Sequence, residues 1–140
     1  MSTTRTYLTG WKPRTYFYYC PSIPDFKIDN GKFIELKSDA HITKNFFIEL
    51  TSNTNKGTIG GPYQAYRHGS DYYMFWFTEL ENQPLFSFKT EDLLLWLKDN
   101  KDKYWKTKVK NKHDYGQYSS EGIVVPRVDL SEVYKLKYFK

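Results

Sequence analysis

Asp25, Glu35 and Lys37 are the residues of this chain whose types and spacing could do chemistry together. Glu35 and Lys37 stand two apart, and in an extended strand residues two apart point to one face, so the carboxylate and the ammonium project side by side. Asp25 begins the segment Asp25-Phe-Lys-Ile, which Asp29-Asn30-Gly31 joins to Lys32-Phe-Ile-Glu-Leu-Lys, a strong hairpin signal. The loop length decides whether Asp25 joins the other two. A two-residue Asn30-Gly31 turn pairs Asp29 with Lys32 and puts Asp25 opposite Leu36, on the wrong face. A three-residue loop with Gly31 left-handed, as in a G1 bulge, pairs Ile28 with Lys32 and puts Asp25 opposite Glu35. We expect the three-residue loop. Two carboxylates on one face, with the Leu36 carbonyl beside them, suit Mg²⁺ (or Mn²⁺ as a substitute), a hard cation that takes oxygen ligands and keeps several waters. Lys37 would then orient or deprotonate a metal-bound water and stabilise charge on a scissile phosphate, the chemistry of metal-assisted phosphodiester hydrolysis.

The elements that must position these residues follow from pattern. Residues 6–20 are rich in β-formers and broken by Gly10 and Pro13, so they read as short strands. A third strand after the hairpin is expected at Asn45-Phe-Phe-Ile-Glu-Leu-Thr, carrying Glu49. Residues 52–61 hold three glycines and two asparagines without an apolar period and read as a loop. Asp71-Tyr-Tyr-Met-Phe-Trp-Phe is nearly continuous apolar, as a central strand covered on both faces requires, with Leu85-Phe-Ser-Phe as its neighbour. Thr90 is the expected N-cap of a helix whose Leu93, Leu94 and Leu97 form an apolar stripe. Gly122 to Pro126 reads as a short edge strand, and Asp129 with Glu132 resembles a capping box opening a terminal helix. The sum is one α/β (α+β) domain over residues 1–140, a central mixed sheet flanked by helices.

Pro24-Asp25 followed by Glu35-Leu36-Lys37 resembles the signature of the PD-(D/E)XK nuclease superfamily, an acid on one strand and acid-x-Lys on the next. Glu35-Leu-Lys-Ser-Asp39, Thr43-Lys-Asn45-Phe-Phe-Ile-Glu49 and Ser70-Asp71-Tyr72-Tyr73 are similar to a small-nuclease branch common in phages and mobile elements. The resemblance implies a restriction-endonuclease-like core over roughly residues 15–97 and divalent-metal cleavage of DNA. It implies Asp25, Glu35 and Lys37 as catalytic residues, with Glu49 and Asp39 as supporting acids. Many members carry a further acid on a helix before the first motif strand. No Asp or Glu precedes Asp25 here, and Glu49 is the residue expected to take its place.

Charge points to the partner. The net charge of +5 is uneven: residues 1–24 carry Arg5, Lys12 and Arg14 and no acid, while residues 98–113 hold seven lysines against Asp99 and Asp102. Concentrated positive charge binds polyanions by counterion release, and nucleic acid is the commonest in a cell. The second basic run interleaves Tyr104 and Trp105 with lysines, so Lys103, Trp105, Lys106, Lys108 and Lys110, with Arg14, are the expected DNA contacts. Its bland alternative is a solvated helix anchored by two aromatics. No stretch of about 20 apolar residues occurs, which excludes a membrane-spanning helix, and the first residues lack a signal-peptide core. The one cysteine, Cys20, excludes an intrachain disulfide and a Cys-cluster zinc site and suits a reducing compartment. We expect a cytoplasmic protein, phage-encoded in a bacterial host if the resemblance holds, that is a DNA endonuclease acting on branched DNA. A homodimer would set two sites across two strands. The alternatives are a non-catalytic nucleic-acid-binding protein and a protein-binding inhibitor on the same fold.

Overall fold

The computed structural model describes residues 7–8, 12–13, 26–27, 31–39, 43–77, 84–113 and 116–139. Among these, the seven-stranded sheet runs β1 (Tyr7–Leu8), β11 (Tyr134–Phe139), β8 (Leu85–Lys89), β7 (Tyr72–Phe77), β4 (Phe33–Asp39), β3 (Phe26–Lys27) and β2 (Lys12–Pro13). It is mixed: β1 with β11 and β4 with β7 are parallel, and the other pairs antiparallel. The second sheet is antiparallel, in the order β6 (Thr58–Ile59), β5 (Asn45–Asn53), β10 (Gly116–Pro126) and β9 (Lys106–His113). Helices α1 (Gly61–Arg67) and α2 (Thr90–Asn100) complete an α+β domain.

The aromatic residues of the sequence account for the way the sheets are joined. Phe46 of β5 is fully buried, with Phe75 and Phe77 of β7, Phe86 and Phe88 of β8 and Tyr134 of β11 all packed around it at ring-centre distances of 4.8 to 6.2 Å. Most of these pairs meet edge to face, the arrangement that ring quadrupoles favour. Leu93 and Leu97 of α2, Ala65 of α1 and Ile48, Ile123 and Val125 of the smaller sheet complete this core. Alternation along β7 sends Tyr73, Phe75 and Phe77 into it, while Met74 faces the other side with Ile34, Leu85 and the partly buried Leu36, Tyr72 and Trp76. The near-continuous apolar run at 72–77 is therefore a strand covered on both faces, as expected.

The hairpin register has the parity of the three-residue loop. Phe26 pairs with Ile34 and Lys27 with Phe33, whereas the two-residue turn would set Lys27 opposite Ile34. Gly31 takes φ +82°, the left-handed conformation a G1 bulge requires.

Several elements differ from expectation. The stretch from Ser52 is not a loop throughout: β5 continues to Asn53, turns through residues 54–57 with Gly57 at φ +65°, and returns as β6. Gly122 to Pro126 is the end of an eleven-residue strand with neighbours on both sides, not a short edge strand. Pro126 is accommodated because it is the last residue of β10. The expected terminal helix is a 3-10 turn at Arg127–Leu130 followed by β11, whose alternating Tyr134, Leu136 and Tyr138 favour a strand. Lys101 to His113, for which a solvated helix was the bland alternative, is a 3-10 turn and then strand β9. Helix α2 lies where its leucines place it, but its N-cap is Lys89, and the Thr90 hydroxyl is buried without a cap bond.

Two predictions follow from this packing. Phe46→Ala removes the ring that both sheets share and is expected to cost about 3–5 kcal/mol in urea unfolding. The second concerns Tyr104, whose hydroxyl donates to Asp129 Oδ2 at 2.7 Å. Its pKa is pushed up to about 12 by burial, then by that hydrogen bond and the Asp129 charge. The folded protein holds this proton more tightly than the unfolded chain, so the stabilisation is complete below the ordinary phenol value of 10 and falls as pH rises toward 12. Spectrophotometric titration should show one phenol ionising near 12 that Tyr104→Phe removes and Asp129→Asn moves down.

Candidate active-site cleft

Strand β4 is fixed by its parallel partner β7, which pairs Glu35 with Tyr73 and Lys37 with Phe75. Because Tyr73 and Phe75 face the aromatic core, Glu35 and Lys37 emerge on that same side of the sheet. The Asp71 carboxylate accepts from the Phe33 amide at 2.8 Å and the Asp71 amide donates to the Phe33 carbonyl at 2.8 Å, which locks the start of β4 against β7. Lys37 Nζ lies 3.3 Å from Glu35 Oε1, with the glutamate side chain 18% and the lysine 39% exposed. A pair this open is worth little to stability, about 0–1 kcal/mol. Its consequence is positional, since each side chain holds the other on one face.

Glu49 reaches the same region from the other sheet. Phe46 and Ile48 are fully buried, so alternation turns Phe47 and Glu49 to the opposite face of β5. Glu49 Oε1 accepts from the Gly61 amide at 3.1 Å. Gly60 and Gly61 pass so close that a side-chain carbon on either would collide with Glu49, and Gly61 has φ +52°, so glycine is required twice here.

Lys37 and Glu49, from different sheets, line one cleft of about 480 Å³ at the seam between them, together with Asn45, Phe47, Phe75 and Val124. The volume is in the range of small-ligand and substrate pockets. Its floor is aromatic and its polar groups are a cation, a carboxylate, an amide and hydroxyls.

The remaining expected site residues fall in three places. Asp25 and Arg14 lie outside the described residues, and the side chain of Asp39 is also outside them. Leu36 turns its side chain to the opposite face of the sheet, among Ile34, Met74 and Leu85. Lys103, Trp105, Lys106, Lys108 and Lys110 are exposed, before and along β9, and are not among the residues that line the cleft. Lys103 donates to Asn100 Oδ1 at 2.9 Å. Among the described residues no three His, Cys, Asp or Glu side chains converge as a metal cage. The carboxylate, amide and hydroxyl oxygens of the cleft lining are of the kind a hard cation takes.

Asn45, Phe47 and Val124 were not singled out from sequence as site residues. The available signal was Phe47 itself, a large aromatic that alternates with the buried Phe46 and Ile48 and shares its strand face with Glu49. The chain matches no family model, no curated protein and no solved structure.

Glu49→Ala would leave the buried-side Gly61 amide without its acceptor, and about 1–3 kcal/mol of stability should be lost in urea unfolding. Glu49→Gln keeps a carbonyl oxygen at that position and should retain most of it. Equal losses in the two variants would show that the carboxylate charge, not the hydrogen bond, is what the site requires.

Proposed function

We propose that the protein is a metal-dependent endonuclease that hydrolyses phosphodiester bonds in DNA. The observation that carries this reading is the placement of Lys37 beside Glu35 on β4, in a cleft that Glu49 enters from the other sheet. The hairpin parity adds support, because the registered pairs of β3 and β4 are those of the three-residue loop. The reading assigns Glu35, the Leu36 carbonyl and Asp25 as the oxygen ligands of Mg²⁺ or Mn²⁺, with Glu49 as the supporting acid. Asp25 precedes β3 and lies outside the described residues. The metal, when bound, would supply Lewis-acid stabilisation and a lowered water pKa.

The chain's own residues have distinct work. Glu35 holds Lys37 on the cleft side of β4 through their ion pair. Lys37 offers a partly exposed ammonium that can orient a water by its N–H donors and neutralise charge gathering on a phosphate oxygen. Glu49 keeps its carboxylate fixed by the Gly61 amide, so its facing is set before substrate arrives. The aromatic floor excludes water from one side of the cleft and strengthens the charges that line it. The basic strand β9 supplies long-range attraction for a polyanion. The excess of positive charge and the absence of a helix long and apolar enough to cross a membrane among the described residues accord with a nucleic-acid partner rather than a bilayer. Action on branched DNA and pairing into a homodimer extend this reading, since one small domain has little room for a separate sequence-reading module.

Cleavage of labelled branched, duplex, single-stranded and supercoiled DNA tests the proposal. Cutting is expected with Mg²⁺ or Mn²⁺, absent in EDTA, and reduced at least 10²-fold by Lys37→Ala, with circular dichroism unchanged. Tight DNA binding without cutting by the wild type in either metal would overturn the enzyme in favour of a non-catalytic binding protein. Neither binding nor cutting would favour a protein-binding inhibitor.

A further inference from the structure

The outer face of the four-stranded sheet carries an aromatic row that leads into the cleft. Strand β9 pairs Lys106 with Ile123 and Thr107 with Gly122, so the pairing continued by one residue sets Trp105 beside Val124. Strand β10 in turn pairs Val124 with Phe47 of β5. Trp105, Val124 and Phe47 thus form one row across three strands, about 10 Å long at the usual strand spacing. Their neighbours in sequence show which face this is. Ile123 and Val125 on either side of Val124, and Phe46 and Ile48 on either side of Phe47, are all fully buried in the core. Tyr104 packs inward on Trp96 at 5.8 Å and bonds Asp129, so the next residue, Trp105, must face outward.

The exposure is large. Trp105 is 91% and Val124 42% exposed, and the cleft that holds Lys37 and Glu49 begins at Phe47 and Val124. A side-chain carbon at Gly122, in the next row, would strike the Phe47 ring and the Ile48 carbonyl, so the ring lies across the glycine.

We propose that this face binds an unpaired stretch of nucleic acid, its bases stacked along Trp105 and Phe47, and delivers it to the Lys37 and Glu49 cleft; the delivery step rests on the nuclease reading above. Charge decides for nucleic acid over a protein partner. Glu49 and Glu121 are the only acids in β5, β6, β9 and β10, and a carboxylate oxygen of Glu49 already accepts from Gly61. Against them stand Lys106, Lys108 and Lys110, all exposed on the outermost strand, with Lys103 just before it. These lysines alternate with Trp105, Thr107 and Val109, so they rise from the other face of β9 at the rim of the sheet, where long flexible stems can reach a phosphate backbone running along the edge. Such a backbone would let its bases turn onto the outer face. Stacking on aromatic rings flanked by lysines is how single strands are held without sequence readout. A duplex offers no base faces to such a row because its bases already stack on one another, so the partner is unpaired: a single strand, or the open arm of a branched molecule.

Binding of a labelled oligodeoxythymidylate and of a blunt duplex, both in EDTA so that cleavage plays no part, tests this surface. The wild type should bind the single strand with quenching of tryptophan fluorescence and should prefer it to the duplex. Trp105→Ala, at an exposed position that the fold does not need, should weaken single-strand binding roughly tenfold or more, with Trp105→Phe recovering most of it. Single-strand binding unchanged in Trp105→Ala, or a wild type that prefers the duplex or binds neither, would overturn the platform even if Mg²⁺-dependent cutting is found. Trp105-dependent binding by a protein that cuts nothing would keep the platform and remove the nuclease.

Discussion

The burial of Phe46 imposes a constraint on everything around the cleft, because one ring fills the space among aromatic residues of β7, β8 and β11 and so sets the smaller sheet against the larger. Once Phe46 and Ile48 are inside, the two-residue period of a strand leaves Phe47 and Glu49 no choice of face. The pairing with β10 then carries the same choice to Val124, and the pairing of β10 with β9 extends it to Thr107. A slip of one residue in β5 would bury Glu49 and expose Phe46, a change that combines an uncompensated buried charge with the loss of the core's central ring.

The larger sheet obeys the same logic through a different contact. The parallel register of β4 on β7 puts Glu35 and Lys37 over Tyr73 and Phe75, and Asp71 holds that register at its start through both its backbone and its carboxylate. The cleft is therefore assembled from two sheets whose mutual position is set by apolar packing, while its polar groups ride on the faces that packing leaves over. Glycine has a part in this: at 60, 61 and 122 a side chain would collide with Glu49, Ile48 or Phe47, so the absence of one is what allows the chain to close around the site.

The readings made from local pattern fared differently according to whether a local cause determined the outcome. The leucine stripe of α2, the doubly buried strand at 72–77 and its antiparallel neighbour were legible because their periods are consequences of burial alone. The hairpin register was legible because Gly31 admits a left-handed conformation and parity follows from loop length. The basic run at 101–113 was not, since its lysines carry no apolar period and the segment becomes a strand only by pairing with β10. The residues after Asp129 mimic a helix start, yet the alternating aromatics that follow join β8 and outweigh the local capping signal.

By itself the sequence determined the α+β character, the pairing of Glu35 with Lys37 on one strand face, and the excess of positive charge, because these depend on residue type and on spacing within a single element. Tertiary structure alone decided that Glu49 and Lys37 line one cleft, that Leu36 turns away from it, and that Phe47 pairs with Val124 while Trp105 stands exposed just before the next strand. Each of those facts joins residues distant in the chain, and only the packing of Phe46 between the sheets and the registers of β5, β10 and β9 bring them together.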